Sequence, residues 1–164
     1  MRIRVAKIDA DFGQIRERLI ELQDYERQID ARMPSGETIA DSYFSEMLKN
    51  CKAHLGQILV AEVDDLIVGY VTVLAKTSSG EIDDGDIEYG LIYDLVVKDK
   101  WRGNALGRKL IEASETFAKT NGARWLRLSV LAQNRSARAL YSSIGFSELY
   151  VDYEKDLREP KYAD

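Results

Sequence analysis

The chain has 164 residues, 23 basic against 28 acidic side chains and a net charge of −5. That length suits one domain that buries its own core, and the acid excess argues against general nucleic-acid binding, which needs a dominant basic face. A single cysteine, Cys51, excludes an internal disulfide, and with His54 as the only histidine no Cys/His zinc cluster can be assembled. A reducing, cytoplasmic setting is the natural expectation. Met1-Arg2-Ile3-Arg4 runs into the polar Lys7, Asp9 and Asp11, so no secretory apolar region is expected. The longest apolar run, Leu66 to Ala75, falls short of the ~18 residues of a membrane span.

In chain order, Arg2 to Ile8 alternates as a first strand, and Phe12, Ile15, Leu19, Leu22, Ile29 and Met33 recur at helical spacing. Met33-Pro34-Ser35-Gly36 stops that helix, because proline cannot continue the hydrogen-bond ladder. A second helix presents Ile39, Tyr43, Phe44, Met47, Leu48 and Cys51. Gln57 to Val63 and Leu66 to Lys76, joined at Asp64-Asp65, read as a hairpin, and Ile87 to Val97 extends the sheet beyond an acidic loop. Leu106, Leu110, Ile111, Ser114 and Phe117 mark a third helix. Strands are expected at Arg124 to Leu131 and Glu148 to Glu154, with Asn134 to Ser143 helical between them. Neither repeats nor a linker interrupt this order, so 1–164 is expected to be one domain.

The segment from Tyr93 to Phe146 is the most informative. The turn Arg102-Gly103-Asn104-Ala105-Leu106-Gly107 lies between Leu95-Val96-Val97 and the third helix. A turn of this kind offers unpaired N–H groups and the positive end of a helix dipole, which suits a phosphate or pyrophosphate. Together with Tyr93-Asp94, Trp101, Arg108, Asn134, Ala137, Leu140-Tyr141 and Gly145-Phe146, these residues resemble the GNAT superfamily of acetyl-CoA-dependent N-acetyltransferases. The likeness runs from about Ile58 onward; the first third matches only in its strand-then-two-helices order.

This resemblance implies an α/β (α+β), GNAT-like three-layer fold, with a mixed, mostly antiparallel sheet of about six strands flanked by about four helices. It implies acetyl-CoA as cofactor, held by the main chain of Leu95, Val96 and Val97, by the turn Arg102, Gly103, Asn104, Ala105, Leu106, Gly107 and Arg108, and by Asn134 and Tyr141. Ala105 stands where the family pattern has glycine, and its Cβ restricts a left-handed backbone. For Leu95 to Val97 the expected contribution is main-chain: separation of this strand from the Arg124 strand would free amides to bind pantetheine and polarise the thioester carbonyl.

Acetyl transfer to an amine needs a free base. A lysine-like ammonium of pKa about 10.4 is deprotonated to only a few parts in ten thousand at pH 7, a deficit of roughly 4.6 kcal/mol. Asp94 is the first candidate base and Glu88 the second; under regular strand pairing their even numbering places both on one face. The competing role for Asp94 is a structural hydrogen-bonding group at a strand bulge. Many family members carry an acid immediately before this position, where this chain has Tyr93. Asn134 and Tyr141 lie close to two helical turns apart and can face one cleft. The resemblance assigns Tyr141 as donor to the departing thiolate and Asn134 as a pantetheine contact, alongside a helix-capping role for Asn134.

The acceptor is expected to be a small-molecule amine or a peptide or protein amine. Glu81, Asp83, Asp84, Asp86 and Glu88 could steer a cation, or form an ordinary solvated loop; the Tyr25 to Met33 segment is the other candidate acceptor wall. Direct attack is preferred to an acyl-enzyme because Cys51 lies outside the cofactor motif. The alternative function is a non-catalytic acyl-CoA-binding or sensory module of the same fold, which has no need of the Tyr141 acid. A homodimer is compatible with the resemblance, although no interface is specified.

Overall fold

A computed structural model describes residues 1–158; the last residues of the expected domain, 159–164, lie outside the described residues. The chain runs β1 (Arg2–Val5), α1 (Ile8–Ile29), α2 (Gly36–Ala53), β2 (Gly56–Val63), β3 (Leu66–Thr77), β4 (Tyr89–Val97), α3 (Leu106–Thr120), β5 (Leu126–Arg127) and α4 (Arg135–Ser143). The sheet order is β1-β2-β3-β4-β5. Pairing is antiparallel from β1 to β4 and parallel between β4 and β5. Helices α1 and α2 cover one face through Ile15, Leu19, Phe44 and Met47, packed on Val60, Tyr70 and Val96. Helix α3 covers the other through Leu106, Leu110 and Ile111, packed on Ala61, Val71 and Ile92, with Leu140, Tyr141 and Phe146 against its flank. These are the expected three layers. No helix among the described residues is long and apolar enough to cross a membrane.

Several boundaries differ from the sequence expectation for identifiable reasons. Helix α1 begins at Ile8, where the first strand was expected to end, because Asp11 Oδ2 accepts the Lys7 N–H at 2.7 Å and closes the first turn early. It ends at Ile29 rather than Met33. Ser35 caps α2, accepting the Thr38 N–H at 3.4 Å. The β2–β3 hairpin turns on Asp64 and Asp65 with φ of 48° and 63°, the left-handed pair that a two-residue turn demands.

Among the described residues the sheet has five strands rather than about six. Only Leu126–Arg127 of the expected Arg124–Leu131 strand pairs with a neighbour, and 148–154 belongs to no ladder among the described residues. Alternation records a local preference for extended backbone, whereas a ladder needs a partner in register; Leu149, Val151 and Tyr153 stand exposed instead.

Strand β4 is also irregular. Ile92 pairs with Val73 and Asp94 with Thr72, so Tyr93 is an extra residue on β4 and forms a bulge. Alternation changes phase there: Ile92 packs with the α3 core, whereas Val96 packs with the α1–α2 core. The regular pairing that would put Asp94 and Glu88 on one face is therefore absent, and a second register shift separates Leu91 from Tyr89.

Candidate active site

Parallel pairing of β4 with β5 is confined to Gly90–Leu126 and Leu91–Arg127, supported by the Gly90 N–H to the Trp125 carbonyl at 2.8 Å. Beyond Leu91 the two chains splay. A cleft of about 170 Å³ opens between Ile92–Leu95 and Leu128–Val130, roofed by residues of α1, α2 and α4. Strand β4 thus spends one edge on β3 and, among the described residues, leaves the other without a ladder partner past Leu91. This is the separation expected for the segment that contains Leu95, Val96 and Val97.

Asp94 lines the cleft floor at 6 % exposure. Its Oδ1 accepts the Tyr43 hydroxyl at 2.7 Å, and its Oδ2 has no hydrogen-bond partner among the described residues. Burial pushes the carboxyl up to about 7, opposed by the Tyr43 hydrogen bond and reinforced by the nearby Glu26 charge. The Tyr43 phenol is raised far above its ordinary range, first by burial and then by Asp94, so it stays a donor. Its ring lies 5.9 Å from that of Tyr93. Glu88, the second candidate base, stands apart: it precedes β4, is more than half exposed, and pairs with Lys76 at 3.3 Å. The acidic loop also lies outside the cleft lining, and its described members Glu81, Asp83 and Asp86 are exposed.

Asn134 and Tyr141 both line the cleft from α4, as their spacing predicts. Asn134 caps the helix, its Oδ1 accepting the Ala137 N–H at 3.2 Å, and the Tyr25 hydroxyl reaches the same oxygen at 3.4 Å. Burial raises the Tyr141 phenol above its ordinary pKa, with Glu26 adding to the shift. Of two further cleft residues, Glu26 belongs to the Tyr25 to Met33 segment expected as a candidate acceptor wall, whereas Tyr43 was read only as part of the apolar stripe of the second helix. A signal existed for Glu26: it continues the apolar stripe Ile15, Leu19, Leu22 on α1, where a carboxylate is out of place.

The turn before α3 has the geometry of an anion cradle. Gly103 and Ala105 have φ of 78° and 58°, and Ala105 is the N-cap residue of α3 with no side-chain cap bond, so the first N–H groups of the helix are left for a ligand. Arg102 is braced by its Nε on the Val97 carbonyl at 3.0 Å and by Asp99 at 2.8 Å, with its guanidinium 5.1 Å from the Tyr25 ring centre. Asn104 Nδ2 donates to the Arg102 carbonyl at 3.3 Å, and Arg108 reaches Ser143 Oγ at 3.3 Å. Leu106 is buried beneath the turn. A Cβ on Gly107 would meet Leu140 Cδ2 at 3.2 Å, so this glycine also lets α4 pack close to α3. Ala105 carries the left-handed strain anticipated from sequence. Ala105→Gly is expected to stabilise the protein by about 0.5–1 kcal/mol, the strain relieved less the extra freedom of the unfolded chain. Chemical denaturation measures it, and an unchanged or lower midpoint would show that Ala105 is unstrained.

Among the described residues no group of three or more His, Cys, Asp or Glu could hold a metal ion. Residues 21–146 match the family described as the acetyltransferase (GNAT) family. Thialysine N-epsilon-acetyltransferase of Bos taurus is 30% identical over 151 residues, covering 90% of this chain and 84% of its own. A Bacillus subtilis protein proposed to be the ribosomal protein bS18-alanine N-acetyltransferase is 29% identical over 131 residues, covering 80% and 78% of the two chains. The fold is shared with the BH1408 protein of Bacillus halodurans, solved as its F44R mutant, at a TM-score of 0.81 and 22% identity, covering 96% of this chain and 99% of that one.

Proposed function

Because the chain belongs to the acetyltransferase (GNAT) family and is an acyltransferase that uses acyl-CoA, we propose that it transfers an acetyl group from acetyl-CoA directly to a primary amine within a ternary complex. The observation that carries this reading is the cleft itself, in which a buried carboxyl raised to about 7, Asp94, and a half-buried phenol, Tyr141, line one space at the splayed edge of β4.

Asp94 takes a proton from the acceptor ammonium. A base of pKa about 7 is matched to that task at neutral pH, far better than a carboxyl at its ordinary value of 3.8. With the thioester seated in the cleft, main-chain N–H groups on the β4 edge that has no ladder partner past Leu91 among the described residues would meet the negative charge developing on its carbonyl as the free amine attacks. Collapse expels the thiolate, and Tyr141 supplies a hydrogen bond or its proton to the sulfur. The nitrogen's remaining excess proton passes to the cleft groups, and the net reaction yields amide, free thiol and one released proton. The pyrophosphate end of the cofactor would rest on the turn from Arg102 to Arg108, and Asn134 would contact the pantetheine arm.

Direct transfer is supported by Cys51, whose thiol burial pushes up to about 11, which leaves it a poor nucleophile at neutral pH. The relatives are named for the side-chain amine of thialysine and for an alanine of a ribosomal protein; by analogy the acceptor here is a small-molecule amine or a peptide amine. Tyr141→Phe is expected to retain acetyl-CoA binding while kcat falls about 100-fold, read as free-thiol release across a panel of amines. Equal turnover in both proteins would remove Tyr141 from the mechanism.

A further inference from the structure

The charges in the cleft are of one sign. Its lining includes Glu26 and Asp94 and contains no lysine, arginine or histidine. Elsewhere on α1, Glu17 and Glu21 pair with Arg18 at 3.1 and 2.9 Å and Asp11 is held by Arg4, whereas Asp24, like Glu26, has no ion pair among the described residues but is exposed and accepts the Gly36 N–H at 2.7 Å. Glu26 has no such cation among the described residues, although it is half-buried on the apolar stripe of the helix. The second observation is the orphaned Oδ2 of Asp94, itself 6 % exposed and in the same cleft. A half-buried carboxylate without a partner costs stability unless something positive completes it. Loss of hydration raises the Glu26 carboxyl above its ordinary pKa, as expected for a group with no cation beside it.

We infer that Glu26 is a specificity-determining residue that seats a second positive charge of the acceptor, so that the cleft takes aliphatic diamines or polyamines and rejects amines that carry a carboxylate or phosphate. This rests on the amine-acetyltransferase reading above and names the acceptor class for that site. The reacting nitrogen lies at Asp94 and the distal ammonium at Glu26, with the connecting methylenes against Leu19, Leu22 and Tyr43. An anionic tail would meet two carboxylates and no cation, an unfavourable pairing in a site of low dielectric.

Three acceptors of equal carbon length isolate the tail charge: 1,4-diaminobutane, butylamine and 4-aminobutanoate. At pH 8 and low salt, wild-type kcat/KM is expected to fall in that order. In Glu26→Gln, which preserves shape and removes charge, the ratio of the diamine value to the butylamine value should drop about 10- to 100-fold, the worth of a charge-assisted contact. A ratio that stays at the wild-type value, or a wild-type enzyme that uses 4-aminobutanoate as well as the diamine, would overturn the proposal. Calorimetric binding of 1,4-diaminobutane to the coenzyme A complex gives a reading independent of turnover. Weaker binding in Glu26→Gln supports the subsite even if no amine is acetylated, an outcome that would instead sink the enzymatic reading, and equal binding overturns it.

Discussion

Asp94→Asn is expected to lower kcat by 100-fold or more and to erase the limb of the pH–rate profile that rises through about pH 7. The same substitution should stabilise the protein at pH 8. A carboxyl whose pKa is raised by folding from 3.8 to about 7 contributes fully below its ordinary value, and that contribution is lost as pH climbs through 7. At pH 8 the buried carboxylate costs on the order of 4 kcal/mol, which a neutral amide avoids. The groups around it sharpen the expectation: Tyr43 hydrogen-bonds the carboxylate, Glu26 repels it, and the Tyr70, Tyr93 and Cys51 groups nearby stay protonated. Denaturation at pH 5 and pH 8 paired with a pH–rate profile decides the matter. If Asp94 is only a structural bond at the bulge, the variant loses stability and keeps the pH 7 limb.

Gly36→Ala is expected to destabilise the fold by about 2–3 kcal/mol. In an exposed helix this exchange gains about 1 kcal/mol, so the predicted sign is inverted. The inversion follows from crowding: a Cβ on Gly36 would fall 2.6 Å from both Cα and the carbonyl oxygen of Ile20, backbone atoms of α1 that cannot rotate away. The Gly36 N–H also donates to Asp24 Oδ1 at 2.7 Å, a bond that parting helices would stretch. Since α1 and α2 together roof, through Leu22, Glu26, Ile39 and Tyr43, the end of the cleft proposed for the acceptor, surviving protein should show a raised acceptor KM with little change for the cofactor. A denaturation midpoint equal to wild type would mean the two helices separate at no cost.

Much of this molecule could be read from residue order alone, because its strongest signals are local. The Asp64-Asp65 turn, the Asn134 cap and the joint presence of Asn134 and Tyr141 in one cleft all follow from spacing and side-chain type. What escaped depends on partners distant in sequence. A bulge beside Asp94 was one of two settings left open by the sequence; its position at Tyr93 exists only in the pairing of β4 with β3, and it removes the even-number argument that linked Asp94 with Glu88. The expected strand over 148–154 has suitable residues but no ladder. The contact between Tyr43 and Asp94 joins residues far apart in the chain, in elements whose docking a periodic pattern cannot specify. Glu26 falls between these cases: its place on an apolar stripe was visible, whereas its lack of a counter-ion required the fold.

The sheet parts two compartments that meet at Tyr25, whose ring on α1 lies 5.1 Å from the Arg102 guanidinium and whose hydroxyl reaches Asn134 Oδ1. Glu26 and Tyr43, which would meet the acceptor, sit on helices anchored in the core that contains Leu19 and Phe44, whereas the cofactor turn leads into α3 and the core that contains Leu110 and Ile111. Side chains on opposite sides of a sheet that share no partner combine their effects almost additively. Libraries at Glu26, Ile39 and Tyr43, with Tyr25 held constant because it touches both Arg102 and Asn134, are therefore expected to change amine preference while the coenzyme A turn is left unaltered.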